Sequence, residues 1–179
     1  MVTSPKDNGL SPMPVLDQLN VRIARPEDAA TIESFSAAMA LETEGRRLDL
    51  DRLHLGTIAL IENPARGFFI VAEQGQGDNC ELLGQLMVTY EWSDWRNGAF
   101  WWVQSVYVDP AWRRRGVFRQ LHQAVMQEAR ARTDVCGVRL YVDKDNPIAQ
   151  TTYERLGLIR SAYQIYESDF TLPPKPPKE

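Results

Sequence analysis

The residues with the clearest chemical potential are the run Arg113-Arg114-Arg115-Gly116 and the helical pattern that follows at Val117-Phe118-Arg119. Three arginines and a glycine at a helix start make an anion site. Such a start leaves backbone N–H groups without intrahelical partners and carries about half a positive charge, so a phosphate placed there gains hydrogen bonds and a favourable field. The helix is read from Val117, Phe118, Leu121, Ala124, Val125 and Ala129, which share a face, while Arg119, Gln120, Gln123, Gln127 and Arg130 point elsewhere. The stretch before it, 99–108, is rich in β-branched and aromatic residues and is closed by Asp109-Pro110, because proline cannot donate to a ladder. Strand, basic turn and helix in that order predict a phosphate-bearing ligand.

A second signal is the pair Asn146 and Tyr153, seven residues apart and therefore about two turns along one face of a short helix. Asn146-Pro147 supplies an N-cap and a proline at the first helical position, and Gly157 ends the helix. Tyr153 can donate to a developing anion, or it can simply pack with Ile148, Ala149 and Leu156.

Composition narrows the partners. The chain has 179 residues, 44% of them hydrophobic and 25% charged, enough for one domain with its own core. A formal net charge of −4 argues against a general nucleic-acid or membrane-surface binder, so the arginine cluster serves something local, and a small polyanion fits. Cys80 and Cys136 are too few and too far apart for a zinc site or a disulfide framework, and no metal is expected. No apolar run is long enough to span a bilayer and no signal segment opens the chain, which makes a cytoplasmic location the expectation.

The elements that must position these residues follow from periodicity. Residues 1–20, with Ser4-Pro5, Ser11-Pro12 and Pro14, read as a loose arm, and 21–25 alternate as a half-buried strand. Pro26-Glu27-Asp28 opens a helix whose inner face is Ala29, Ile32, Phe35 and Met39; a mixed-charge linker over 41–51 leads to a second helix capped by Asp51. The period then changes to two, giving strands over 68–73, 82–92 and 99–108, which should be antiparallel neighbours. The long crossover after Gly116 implies that 138–142 runs parallel to the strand at 99–108. A last strand is expected over 159–167, and the proline-rich 168–179 reads as an exposed tail. The expected class is α/β, a mixed and mostly antiparallel sheet with helices on both faces.

On these residues the chain resembles the GNAT acetyltransferases, whose pyrophosphate loop reads Q/R-x-x-G-x-G/A. The match here is Arg113-x-x-Gly116-x-Phe118, with Phe118 departing from the small residue of the pattern. The element order over 21–167 is similar to that fold as well, which implies one acetyltransferase domain with a splayed central strand pair. A doubly wound nucleotide fold would instead need its glycine fingerprint after an early strand and an acid about twenty residues on.

The resemblance implies acetyl-CoA as cosubstrate and a primary amine as acceptor. Backbone groups of Val106, Tyr107 and Val108 would pair with the pantetheine arm, amides of Arg114, Arg115, Gly116, Val117, Phe118 and Arg119 would hold the pyrophosphate, and Asn146 would contact the cofactor. Tyr153 would meet the departing sulfur. Members that carry a glutamate on the central strand have no counterpart here, since the corresponding stretch is Trp101-Trp102-Val103-Gln104; Glu91 is the nearest base candidate, with Asp94 behind it. His54 and His122 read as surface or boundary residues. The acceptor would be bounded by Glu42, Glu44, Trp92, Asp94, Trp95, Trp101 and Trp102, and carboxylates beside aromatic faces suit a small cationic or amphipathic amine. An acyl-CoA sensor without turnover, a transferase acting on a protein N-terminus or lysine, and an interaction module built on the aromatic hairpin remain the other classes, and a homodimer is left open.

Overall fold

The computed structural model describes residues 19–75, 77 and 80–172. Nearly all of the arm expected over 1–20, and the last seven residues of the expected tail, lie outside them. The described chain runs β1 (Asn20–Ile23), α1 (Ala29–Glu44), α2 (Leu50–Ile61), β2 (Gly67–Gln74), β3 (Glu81–Ser93), β4 (Gly98–Val108), α3 (Val117–Ala131), β5 (Val135–Leu140) and α4 (Pro147–Arg155).

The strands form one sheet in chain order. β1 to β4 pair antiparallel, as their short connections require, and β5 lies parallel to β4 because α3 carries the chain back over the sheet. Strand β2 is buried on both faces. Phe69 and Val71 pack with Ile32 of α1 and Leu60 of α2, whereas Ile70 and Ala72 join Leu121, Val125 and Ala129 of α3 on the opposite side. The alternation of β2 thus divides two hydrophobic layers, and the expected mixed sheet with helices on both faces is what forms.

Several boundaries differ for local reasons. Helix α1 continues through Glu44 until Gly45 closes it in the left-handed region (φ 64°), so the acids expected in a linker stand on its last turn. The cap of α2 is Asp49 rather than Asp51, its carboxylate accepting from the Arg52 amide at 3.1 Å. The strand expected over 159–167 does not form. Arg160 is tied back to α4 through Gln150 Oε1 at 2.9 Å, and the Tyr163 amide donates to Ser161 Oγ, so local bonds replace a ladder. Ile159, Tyr163 and Tyr166 are left exposed.

Two irregularities in β4 shape everything that follows. Met87 faces Ser105 and Val88 faces Val103, which makes Gln104 the extra residue of a bulge. Pairing of β4 with β5 stops at Val103 and Leu140, although β4 continues to Val108. Beyond that point the two parallel strands part.

Candidate active site

The gap between β4 and β5 is the centre of the site. Along 104–108 the edge of β4 away from β3 has no strand partner, so its backbone polar groups face an opening through the sheet. The side chains of these residues are used elsewhere. Val106 and Val108 pack into the α3 core, and the Tyr107 ring lies against Phe35 on the α1 side, with centroids 5.3 Å apart. Val106 and Val108 turn backbone groups to the gap, although Val108 O is taken by Arg113, whereas Tyr107, in step with the Asp109 amide that donates to Leu83 O at 2.9 Å, turns its backbone groups to β3.

At the wide end stands the basic loop. Gly116 (φ 89°) and Arg114 (φ 62°) both adopt left-handed conformations, which turns the chain sharply into α3. Gly116 provides no side-chain cap to the first amides of α3, leaving them available to an anion. Arg115 lies over the Trp112 ring, 5.2 Å from its centroid, and Trp112 is buried, which anchors the loop. Arg113 does not project freely. Its Nε donates to Val108 O at 2.9 Å and its Nη2 grips both carboxylate oxygens of Glu42 at 2.7 and 3.1 Å. The Tyr107 hydroxyl donates to the same carboxylate at 3.0 Å. The Arg113 hydrogen bonds hold Glu42 below the usual carboxylate range, whereas burial, then the bond to Glu42, pushes the Tyr107 phenol up.

Phe118 turns its ring toward α4 and meets Tyr153 edge to face, with centroids 5.8 Å apart. That is where the residue departing from the family's loop pattern goes. The Tyr153 hydroxyl has no partner among the described residues, and burial raises its pKa above the ordinary phenol value. Asn146 caps α4, its Oδ1 accepting from the Ala149 amide at 3.0 Å, so its amide group alone is uncommitted. His122, expected at the surface or its boundary, is buried behind Phe118. Its Nε2 has no partner among the described residues, and burial, with the charge of Arg130, lowers its pKa. His54 is exposed and contacts Glu33 Oε1 at 2.9 Å.

On the other side of the sheet, beside α1 and α2, the ends of β3, β4 and β5 present a polar and aromatic floor. Glu91 pairs with Arg139, whose guanidinium lies over Phe100 at 3.6 Å. The Phe100 ring can occupy that place because Gly137 has no Cβ, which would come within 2.6 Å of it. Trp102, opposite Arg139 in the β4–β5 register, sits near Tyr141 with ring centroids 6.0 Å apart. Tyr141 donates to Gln104 Oε1 at 3.0 Å, and Gln104 donates to Thr89 Oγ1 at 2.8 Å.

The acids and tryptophans expected to bound an acceptor do not all meet. Glu42 belongs to Arg113, and Glu44 lies 3.7 Å from Arg46. Asp94 accepts from the Trp95 amide in the β3–β4 turn. Trp101 is in the core beneath α3, and Trp92, two residues beyond Tyr90, shares the α3 side of β3, so neither lies on the floor with Trp102. Trp95 is exposed at the turn. Arg139, Tyr141 and Gln104 were missed, although the alternation Arg139–Tyr141 on a strand beside Trp102 was a usable signal.

This sheet, its parted parallel strands and its uncapped loop are those of an acyltransferase fold. The family model described as the acetyltransferase (GNAT) family matches residues 31–158, and the chain belongs to that family. It is similar to the crystal structure of a possible acetyltransferase from Clostridium difficile 630, with 40% identity over 87% of this chain and 100% of the other, at a TM-score of 0.78. It also shares its fold with the aminoglycoside N-acetyltransferase AAC(6')-Iy in complex with CoA, at 13% identity, TM-score 0.68, and coverage of 86% and 96% of the two chains. No curated protein matches the chain. Among the described residues no helix is long and apolar enough to cross a membrane, and no cluster of metal-ligating side chains is found.

Proposed function

We propose that this chain transfers the acetyl group of acetyl-CoA to a primary amine of a small molecule, by direct attack in a ternary complex. The observation that carries the reading is the gap beyond Val103 and Leu140, which leads from the uncapped start of α3 through the sheet to the Glu91–Trp102–Arg139 floor. The donor set fits a CoA ester: strand backbone along 104–108 for the pantetheine amides, and amides of 114–119 for the diphosphate. The aminoglycoside N-acetyltransferase AAC(6')-Iy, which shares this fold, forms a complex with CoA.

The thioester supplies an activated acyl carbon. The amine nitrogen attacks that carbon, the C–S bond breaks, and the nitrogen loses a proton as the sulfur gains one. Tyr153 is the group for the sulfur. Full transfer from a phenol near pKa 10 to a thiolate near 8.5 is uphill by about 2 kcal/mol before burial adds to it, so a hydrogen bond to the developing charge, with late transfer, is the role assigned. On the amine side, Glu91 keeps one oxygen uncommitted beside Arg139 and can take the proton directly or through water. An alkylamine is neutral only about one part in two thousand at pH 7, which is why such a relay is useful. Glu42 and Glu44 are engaged by arginines, so attraction of a cationic amine falls to the floor rather than to α1. A cytoplasmic location accords with acetyl-CoA supply.

The test is calorimetry with CoA together with thiol release from acetyl-CoA in the presence of an amine panel. Binding and amine-dependent thiol release are expected. CoA binding without turnover of any amine would make the protein a sensor instead.

A further inference from the structure

We infer that the acceptor carries a carboxylate beside its amine, as an amino acid does, and that Trp102 and Arg139 recognise that carboxylate while Glu91 meets the ammonium. This rests on the transferase reading. The floor next to the head of the gap has hydrogen-bonding capacity of one predominant kind. Trp102 Nε1 is buried and has no partner among the described residues, and an indole N–H can only donate. A buried donor left without an acceptor is costly in an isolated protein and is relieved when a ligand brings one. Arg139, the register partner of Trp102, uses a single Nη1 contact to Glu91 and has no other hydrogen bond among the described residues. Its guanidinium carbon lies 3.6 Å from the Phe100 ring centroid, and that contact together with Glu91 positions the remaining N–H groups as a fork.

Glu91 is the complement. One of its oxygens meets Arg139 and the other is uncommitted, so an alternating anion and cation lie side by side across β3 and β5. A zwitterion matches that order with its ammonium on Glu91 and its carboxylate between Arg139 and Trp102. A polycation does not, because it would leave the indole donor unsatisfied and place charge against Arg139. Tyr141, half-exposed at the edge, already donates to Gln104 and is an apolar wall for the substituent.

The experiment uses the full chain and matched trios of amines that share one substituent: an α-amino acid, its amide and its decarboxylated amine. Initial rates at pH 9 are compared per neutral amine, since the three differ in amine pKa. The amino acid is expected to exceed the decarboxylated amine by about tenfold or more in kcat/KM, with the amide between them. Trp102→Phe keeps the ring, removes the N–H, and is expected to narrow that ratio several-fold through KM of the amino acid. Urea midpoints of parent and variant separate this from unfolding. Decarboxylated amines or polyamines turning over as well as amino acids, or an unchanged ratio in the folded variant, would overturn the inference. CoA binding with no amine turned over would overturn it too, whereas failure of CoA to bind would remove the transferase reading itself.

Discussion

Glu42 on the last turn of α1 and Arg113 at the start of the basic loop are 71 residues apart in the chain and meet through two hydrogen bonds. The contact joins the helix that borders the acceptor side to the loop that would hold a diphosphate. The Glu42 carboxylate is thereby committed to Arg113 on both oxygens.

Replacing Glu42 by Gln is therefore expected to weaken acyl-CoA binding two- to fivefold, with KM of the amine unmoved. The modest size follows from exposure, since both side chains are 42% accessible and such pairs contribute about 1 kcal/mol or less. Calorimetry with CoA and steady-state kinetics at varied amine decide the matter. A change confined to amine KM would return Glu42 to the acceptor.

Gly116→Ala should keep the fold and lose at least tenfold in CoA affinity. A Cβ there meets only the mobile end of Arg119, at 3.4 Å. The left-handed φ of 89° is the obstacle, costing about 1–2 kcal/mol for a residue with a side chain. The loop relieves that strain by moving its amides. Unchanged affinity with an unchanged urea midpoint would show that the amides of 114–119 are not the diphosphate site.

Tyr153→Phe is expected to lower kcat by about one to three powers of ten, with little change in acetyl-CoA KM. Burial raises the phenol pKa, so the hydroxyl keeps its proton well past pH 9. The parent's rate at limiting amine should rise from pH 7 to 9 with the neutral amine and show no descending limb in that interval. A fall centred below pH 9 would mean that a different acid titrates.

Away from the site, Arg22 joins Asp28 and Glu73, with side chains 16%, 7% and 10% exposed. Burial pushes both carboxyls up, but hydrogen bonds from Arg22, with the Arg25 amide at Asp28 and Asn20 at Glu73, outweigh it and lower both pKa values. Their stabilisation is complete above the ordinary carboxylate range and is lost as pH falls through the lower folded values. Arg22→Leu strands two buried charges and is expected to cost about 3–5 kcal/mol at pH 7. Urea unfolding should show the gap between variant and parent shrinking below pH 4. A pH-independent difference would assign the loss to packing.

The fold class and half of the site were legible in the chain itself, because both depend on local rules. The period-two runs of β2 to β4, the stripe Val117–Leu121–Val125 and the Arg113–Gly116 turn specify their structures through residues within a few positions of one another. So does the Asn146 cap that places Tyr153 on α4. What the tertiary structure alone decided is which charges meet which. Glu42 with Arg113, Glu91 with Arg139, and Trp102 beside Tyr141 arise from register across β3, β4 and β5 and from how α1 ends against the loop. The turn between Ser93 and Gly98 sets the register of Glu91 and Trp102, the irregularity between Ala99 and Phe100 sets that of Arg139, and the extra residue at Gln104 re-registers β4 beyond it. A bulge has no compositional signature. The irregular segment over 159–167 shows the same limit from the other side, since its alternation suits a strand while a ladder also needs a partner edge that sequence periodicity does not supply.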